Sequence, residues 1–422
     1  MSGERTTGAL KMWWYIVAAL VLGYVVPGIS AHVLPWLLSP MGQDQVIAFL
    51  AAVASGMMAF TGIIFSLLFV LLQFGSTAYT PRIVAILGRN RVLYDAGGVF
   101  TGTFLYALMA LRGVRSPADG GTGKLTIWVA FAWLIASLFA LVRLFDSLKD
   151  LTHTHVLFLL GETGHREIER LYAPPPAPNG DGGRTSRDEC FETSLDPPTQ
   201  TIVYRGGPRY VVALDVRRLV DLARSTDTVI RVPLARGDAV TAGANLALVH
   251  GRRGETVPEA AVRDAIVLGR DRALEQDPKY ALRLLVDIAI RALSPAVCDP
   301  TTAVQALDQI EALLTSLGNA QLDVGRVRDS SGVLRVAYEE TTWEGYLDLA
   351  LTEIQDYGAA AIQVERRLAA LLTFVRAHVP AARAAAVDRL AEQRAAVVRK
   401  AFTDGRRERA EQADPQGLGH TL

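Results

Sequence analysis

The longest apolar stretch of the chain runs from Val46 to Phe74 without a charged side chain. A helix over this stretch would be roughly 43 Å long at about 1.5 Å per residue, whereas the hydrocarbon core of a bilayer is roughly 30 Å thick. Small residues recur at every fourth position of its first half, on a surface that we call the small-residue face: Ala48, Ala51, Ala52, Ser55, Gly56 and Ala59. The pattern predicts a membrane-spanning helix that tilts or extends beyond the bilayer, and whose small-residue face lets another helix approach closely.

Three further apolar segments cover residues 12–34, 92–111 and 125–144. Together with residues 46–74 they predict four spans, so that residues 1–150 form a transmembrane domain. Pro27 lies inside the first segment, and the helix therefore either bends there or ends early. No small-residue cleavage site follows this segment, so we expect an uncleaved span and not a signal peptide.

Lysine and arginine are distributed unevenly between the predicted loops. Basic residues precede the first span, follow the second and follow the fourth: Arg5, Lys11, Arg82, Arg89, Arg91, Arg143 and Lys149. The loop 28–45 has none, although the loop after Leu111 holds three basic residues. Because basic loops favour the cytoplasmic side, the four spans are predicted to place both the N- and the C-terminus in the cytoplasm.

The second half of the chain is predicted to be cytoplasmic. It begins with a juxtamembrane helix and a Pro/Gly-rich connector, residues 151–208. Residues 209–258 alternate as strands do around the turn dipeptide Gly237-Asp238, and they resemble the barrel-sandwich modules of biotinyl and lipoyl carriers and of efflux adaptors. A carrier needs an exposed lysine on a hairpin, but no lysine occurs between Lys149 and Lys279. We therefore expect a structural or interaction module.

Helical patterns dominate residues 259–402, the predicted helical cytoplasmic domain. Asp277-Pro278 and Asp299-Pro300 each place a capping carboxylate before a proline at the first helical position. The charged residues that follow predict a disordered tail over 403–422.

Arg283, Asp287 and Arg291 are spaced by four residues and therefore form one line down the first of these helices. They make either a ladder of ion pairs or, through the two arginines, a site for an anion or a lipid headgroup. Both interpretations are open from the sequence.

Composition and motifs limit the chemistry that the chain can perform. Its 43 basic and 43 acidic residues balance, so no net charge favours binding to nucleic acid. Cys190 and Cys298 are the only cysteines, which excludes a disulfide framework and a cysteine zinc site and fits a reducing compartment. The sequence contains no glycine-rich phosphate loop, no G-x-S-x-G and no H-E-x-x-H. We expect no catalytic residue, no metal and no cofactor.

Several short motifs resemble a family of bacterial predicted membrane proteins, the domain of unknown function twenty-two fifty-four. They are Gln73 with Thr80-Pro81-Arg82, the Gly237-Asp238 module, Gln276-Asp277-Pro278, Asp287-Ile288-Ala289, Ala292-Leu293-Ser294-Pro295 and Asp299-Pro300. The resemblance covers nearly the whole chain and implies an integral protein of the bacterial inner membrane, without an established activity. One position departs from it, because Cys298 stands where the family usually has asparagine.

The expected fold is an α-helical integral membrane protein with four transmembrane helices and a mixed cytoplasmic region, which combines a small β barrel-sandwich-like module with an α-helical domain. The expected function is an oligomeric channel or a transport protein for ions or small solutes, with a cytoplasmic regulatory domain. The alternative is a non-transporting membrane scaffold or sensor that binds a cytoplasmic partner protein. The expected partners are therefore the lipid bilayer, further copies of the chain and a cytoplasmic protein. The candidate functional or coupling residues are Gln73, Arg82, Gln276, Asp277, Asp287, Arg291 and Asp299.

Overall fold

The computed structural model describes residues 2–33, 43–78, 91–114, 124–149, 153–172, 197–252, 255–274 and 276–418. The chain divides into two units, Met1–Thr152 and His153–Leu422, which are described separately below.

The first unit is helical, and one helix is its centre. Its described residues form four helices: α1 (Ser2–Val33), α2 (Gln43–Ala78), α3 (Arg91–Val114) and α4 (Lys124–Lys149). Helix α3 packs against each of the other three. Glycines let α1 approach it closely, since a β-carbon on Gly98 would lie 2.8 Å from the ring of Tyr15 and 3.3 Å from the α-carbon of Met12.

Three of the helices are long and apolar enough to cross a membrane. These stretches are Asp44–Ser66, Val92–Val114 and Leu125–Ser147, and each is the counterpart of a predicted span. In α1 the apolar part, Met12–Pro27, is shorter, although the helix itself continues past Pro27 to Val33. Three of the four predicted spans thus have the expected character, and the first stays a prediction.

The small-residue face of α2 lies at the surface of the described part of the first unit. All six of its residues are exposed, and nothing lies within 4 Å of a β-carbon built on Gly56. The opposite side of α2 packs on α3 instead, where the rings of Phe60 and Phe100 meet edge to face at 5.4 Å. Within the described residues, no other helix makes the close approach that the sequence predicts at Gly56.

The described residues of the second unit form eight strands in two sheets. They are β1 (Gln200–Val203), β2 (Arg209–Leu214), β3 (Val229–Val232), β4 (Ala239–Val240), β5 (Asn245–His250), β6 (Ile266–Gly269), β7 (Arg326–Arg328) and β8 (Leu334–Tyr338). One sheet has the order β1-β5-β3-β8-β7 and the other β4-β2-β6. Apolar residues from both sheets belong to one core. Among these described strands, only β3 and β8 pair in parallel, and this pair joins the predicted β module to the predicted helical domain.

The remaining elements of the second unit are helices: α5 (His153–Tyr172), α6 (Val216–Ser225), α7 (Glu259–Ala265), α8 (Pro278–Ala292), α9 (Pro300–Asn319), α10 (Trp343–Gly358), α11 (Ile362–His378), α12 (Ala381–Ala401) and α13 (Asp404–Glu411). The juxtamembrane helix α5 packs on α8 and α9. Gly164 makes this possible, since a β-carbon there would lie 3.0 Å from the methyl group of Ala281 and 3.1 Å from the side chain of Leu313.

The two predicted Asp-Pro helix starts are confirmed. Asp277 accepts a hydrogen bond from the backbone N–H of Tyr280, and Asp299 accepts one from that of Thr302. The residue before each aspartate has a left-handed backbone, with φ of 59° at Gln276 and 51° at Cys298. Each helix start is therefore a tight turn followed by a carboxylate cap.

The C-terminal stretch differs from the disordered tail predicted for 403–422. Helix α13 lies within it, Ala410 is fully buried and Asp414 is 3% exposed. Arg394 donates a hydrogen bond to the carbonyl of Ala410 at 2.8 Å, and Arg366 forms an ion pair with Asp414 at 3.9 Å. The high charge of this stretch predicted disorder. The buried arginines that bind Ala410 and Asp414 lie on α12 and α11, remote in sequence, and the local pattern therefore did not reveal them.

Candidate functional site

A buried ion pair lies at the centre of a polar network in the second unit. Arg236, in the loop between β3 and β4, donates a short hydrogen bond to Glu340, which follows β8. Their side chains are only 8% and 16% exposed, and the guanidinium of Arg236 lies 4.9 Å from the centre of the Tyr338 ring. Burial raises the pKa of the Glu340 carboxyl, while Arg236 opposes this rise. The pair is thus a charge couple held away from water.

Two tyrosines extend the network to helices α5 and α10. The Tyr172 hydroxyl lies 2.7 Å from the Tyr346 hydroxyl and donates to the second carboxylate oxygen of Glu340 at 3.3 Å. Because the proton of Tyr172 is directed to Glu340, Tyr346 must donate to Tyr172. Burial raises the pKa of both phenols, so both remain protonated donors. The last residue of α5 is in this way fixed to the sheet and to α10.

Asp277 is a second buried carboxylate beside this network. It is 2% exposed, one oxygen accepts from the Tyr280 N–H at 3.2 Å, and the other faces Gly237 without a hydrogen-bond partner among the described residues. Burial raises the pKa of Asp277 to about 6, and the positive charge of Lys279 opposes the rise. Asp277 can therefore take up a proton at mildly acidic pH.

Gln276 connects the same turn to α5. Its backbone N–H donates to the carboxylate of Glu167, a largely buried residue of α5, at 2.9 Å. Helix α5 is thus held at two points near the site, by Glu167 and by Tyr172. Of the residues predicted from the sequence, Gln276 and Asp277 are the two that the structure brings to this network.

The other predicted residues lie elsewhere. Asp287 accepts from Arg283 at 2.6 Å, and Arg283 also donates to both oxygens of Glu353 on α10, at 2.5 and 2.8 Å. The two carboxylates hold the charge of Arg283, which favours the ladder of ion pairs over an anion site at this arginine. Arg291 lies one turn further along α8, where its carbonyl accepts from the Ser294 hydroxyl at 2.7 Å.

Asp299 caps α9 with both oxygens, accepting from the N–H of Thr302 at 3.1 Å and from its hydroxyl at 2.6 Å. Gln73 belongs to α2, but its side chain lies outside the described residues, as does the whole of Arg82. The coupling role predicted for these two residues stays a prediction.

Sequence reasoning missed Arg236, Glu340, Tyr172 and Tyr346. They belong to four separate segments, and 104 residues separate the two members of the central ion pair. The only local signal is Gly237, which follows Arg236 directly and has a φ of +85° that glycine adopts without strain.

A surface cleft of about 750 Å³ opens beside the network. Tyr338 and Glu340 belong to its lining, so the network borders the cleft through these two residues. Within the part of the chain that the structure describes, no group of three or more histidine, cysteine, aspartate or glutamate side chains could hold a metal ion. Asp277 can bind a proton, Arg236 and Glu340 form a buried ion pair, and Tyr338 and Glu340 can contact a ligand in the cleft.

The chain is similar to an uncharacterized protein of Mycobacterium tuberculosis (strain ATCC 25618 / H37Rv) and to one of Mycobacterium bovis (strain ATCC BAA-935 / AF2122/97). Each is 29% identical over 344 residues, which are 77% of this chain and 63% of the relative. The chain therefore spans less than two thirds of the length of these relatives. No solved structure matches it.

The family described as predicted membrane protein (DUF2254) matches residues 7–374. This match includes α1 from residue 7 onward, the other three helices of the first unit and every residue of the buried network. The chain therefore belongs to the DUF2254 family of predicted membrane proteins.

Proposed function

We propose that the protein is a homo-oligomer in the membrane, that its copies meet along the small-residue face of α2, and that the assembly forms a path for ions or small solutes. The observation that carries the proposal is the exposure of this face. Small residues let two helix backbones approach closely, and close approach drives association of helices in lipid. A face of this kind that is left uncovered within one chain is suited to a second copy of the same helix.

The path is proposed to lie between copies, because the described residues of the first unit offer none within a copy. Their buried polar side chains are Thr103, Thr126 and Ser137, and no charged side chain is buried among them. Thr103 and Ser137 are 2.8 Å apart and hydrogen bond to each other. Polar groups that hydrogen bond between neighbouring helices hold those helices together, whereas a solute path needs polar groups that face an opening.

The proposal includes α1 as a fourth span and both termini in the cytoplasm of a bacterium, with the protein in the inner membrane. The distribution of basic residues around the spans supports this orientation. The second unit would then be cytoplasmic and regulatory. Its residues 209–258 are proposed to serve as an interaction module of barrel-sandwich type, which the common core of the two sheets supports.

The experiment is recording from planar bilayers that contain the purified protein, across several ions. Conductance is expected for the natural sequence and should be lost in Gly56→Leu, which adds a bulky side chain to the small-residue face. Met58→Leu is the control for a change without added bulk, because Met58 is exposed at the edge of the same face and leucine is about as large as methionine.

Two results would count against the proposal in different ways. An oligomer without conductance under any condition would favour the alternative, a membrane scaffold or sensor that binds a cytoplasmic partner. A monomer in the membrane would contradict the proposed assembly itself.

A further inference from the structure

Two arginines flank an alanine in the cleft of the second unit. Arg231 on β3 and Arg326 on β7 are both register partners of Ala337 on β8, which lies between them. Residues in register point to the same face of a sheet, and adjacent strands are about 4.8 Å apart, so the two arginines start about 10 Å from each other. All three residues line the cleft. The small methyl group of Ala337 leaves room between two cationic side chains.

A third arginine lines the cleft from the helical side and is held rigidly. Arg383 donates from one nitrogen to the carbonyls of Leu317 and Gly318, both at 2.8 Å, and it lies over the ring of Trp343 at 5.8 Å. Among the described residues, no carboxylate lies within ion-pair distance of Arg383. Burial lowers the pKa of Arg383, and the negative charge of Glu344, which also lines the cleft, opposes this. A fixed and partly desolvated cation of this kind is stabilised by an anion.

The acidic residues of the cleft already have cationic partners. Asp323 pairs with Arg326 at 3.2 Å and Glu339 with Arg231 at 3.3 Å. Glu340 pairs with Arg236, and Glu344 lies 4.0 Å from Arg389, so two arginines outside the lining hold these two charges. The lining holds four arginines and four carboxylates and is balanced overall, so the positive potential that would attract an anion is local to Arg383.

The start of α12 adds to this positive potential. Ala382 and Arg383 line the cleft, and the N-cap residue of this 21-residue helix, Pro380, makes no side-chain cap hydrogen bond. Backbone N–H groups at such an end attract anions, and the helix dipole has the same sign.

From these features we propose that the cleft binds a small soluble molecule that carries a phosphate or carboxylate group, with Arg383 and the first turn of α12 holding that group. Arg231 and Arg326 hold a second polar part of the ligand across Ala337. A volume of about 750 Å³ suits a ligand of small-molecule size.

The test is isothermal titration of the full chain in detergent with inorganic phosphate, inorganic pyrophosphate and citrate. Binding of at least one of these anions is expected. Ala382→Glu places a carboxylate at the exposed first turn of α12, which suits the helix dipole but repels an anion, so it should weaken binding by about tenfold or more without lowering the melting temperature.

Ala385→Glu is the matched control, because Ala385 is exposed one turn further along α12 and does not line the cleft. It should bind as the natural sequence does. Arg383→Gln should also lose binding, and Arg376→Gln, which breaks an exposed ion pair outside the cleft, should not.

Three outcomes would overturn the proposal. They are the absence of binding for all three anions, equal loss in Ala382→Glu and Ala385→Glu, or unchanged binding in Ala382→Glu. If only vesicles with anionic lipids bind, and Ala382→Glu abolishes that binding, the ligand is a lipid headgroup and the soluble-ligand proposal is wrong. None of these results depends on whether the protein conducts ions.

Discussion

One carboxylate oxygen of Asp277 lies too close to the backbone of Gly237 to leave room for a β-carbon at position 237. The position of the Asp277 side chain therefore requires glycine there. Gly237 also has a φ of +85°, in the region that L-residues rarely adopt. The contact joins the loop that supplies Arg236 to the turn that begins α8. The contact therefore positions Asp277 directly. It also positions Arg236, the next residue along the loop, which binds Glu340.

Replacing Gly237 should cost more stability than replacing a glycine that has the same backbone but open surroundings. Gly243 is that control, with a φ of +93° and nothing within 4 Å of a built β-carbon. We expect Gly243→Ala to lower the free energy of unfolding by about 1 kcal/mol through backbone strain. Gly237→Ala should cost about 1–3 kcal/mol more, because its methyl group overlaps the Asp277 carboxylate. Chemical denaturation of both variants measures this, and equal costs would contradict the contact.

Asp277 should make stability depend on pH in an unusual direction. Its pKa is raised from 3.8 to about 6 in the folded protein, so between these values the folded state holds a proton that the unfolded state has lost. Stability from this group is therefore largest below pH 3.8 and is lost as the pH rises through about 6. The total change is about 3 kcal/mol, at roughly 1.4 kcal/mol per pKa unit.

The variant Asp277→Asn keeps an N-cap side chain and cannot titrate, so this part of the pH dependence should disappear. Urea denaturation at a series of pH values from 4 to 8 measures it, at a step of about one unit. Glu365→Gln is a suitable control, because Glu365 is a second buried carboxylate, with a pKa of about 7, and lies in the cluster with Arg394. That variant should retain the contribution of Asp277. A slope that survives in Asp277→Asn would show that the carboxylate does not hold the proton.

Cys298 should be a strained residue, and asparagine should relieve the strain. Its φ of 51° lies in the left-handed region, where asparagine is tolerated better than cysteine. We expect Cys298→Asn to raise the free energy of unfolding by about 0.5–1 kcal/mol, and Val297→Asn, at the exposed neighbouring position, to change it little. Thermal or urea denaturation decides this. A loss of stability in Cys298→Asn would mean that the cysteine side chain has a role other than filling a left-handed turn.

Local features of the second unit were predictable from the sequence, whereas the site was not. Asp277 and Asp299 cap helices because the signal, an aspartate before a proline, lies within four residues of the N–H groups that it binds. The turn Asp329-Ser330-Ser331-Gly332 is a signal of the same local kind, and β7 and β8 form a hairpin around it.

The network around Arg236 and Glu340 depends on how distant segments meet. Neither residue has a periodic or spaced partner in the sequence, and the parallel pairing of β3 with β8 is what brings them together. Likewise, the small-residue face was visible in the sequence, but its exposure could be known only from which side of α2 packs on α3. The pattern of one sequence shows which residues share a face of a helix, but not which other helix packs against that face.

The central claim, that copies meet along the small-residue face, is tested most directly by cysteine crosslinking in native membranes. The background carries Cys190→Ser and Cys298→Asn, and single cysteines are then placed at Ser55, within the face, or at Val53, on the opposite side of α2 where it packs on α3. A disulfide needs α-carbons within roughly 7 Å, so only helices in close contact can form one. We predict rapid dimer formation in Ser55→Cys and little in Val53→Cys. Equal crosslinking at both positions, or none at Ser55→Cys, would contradict the account.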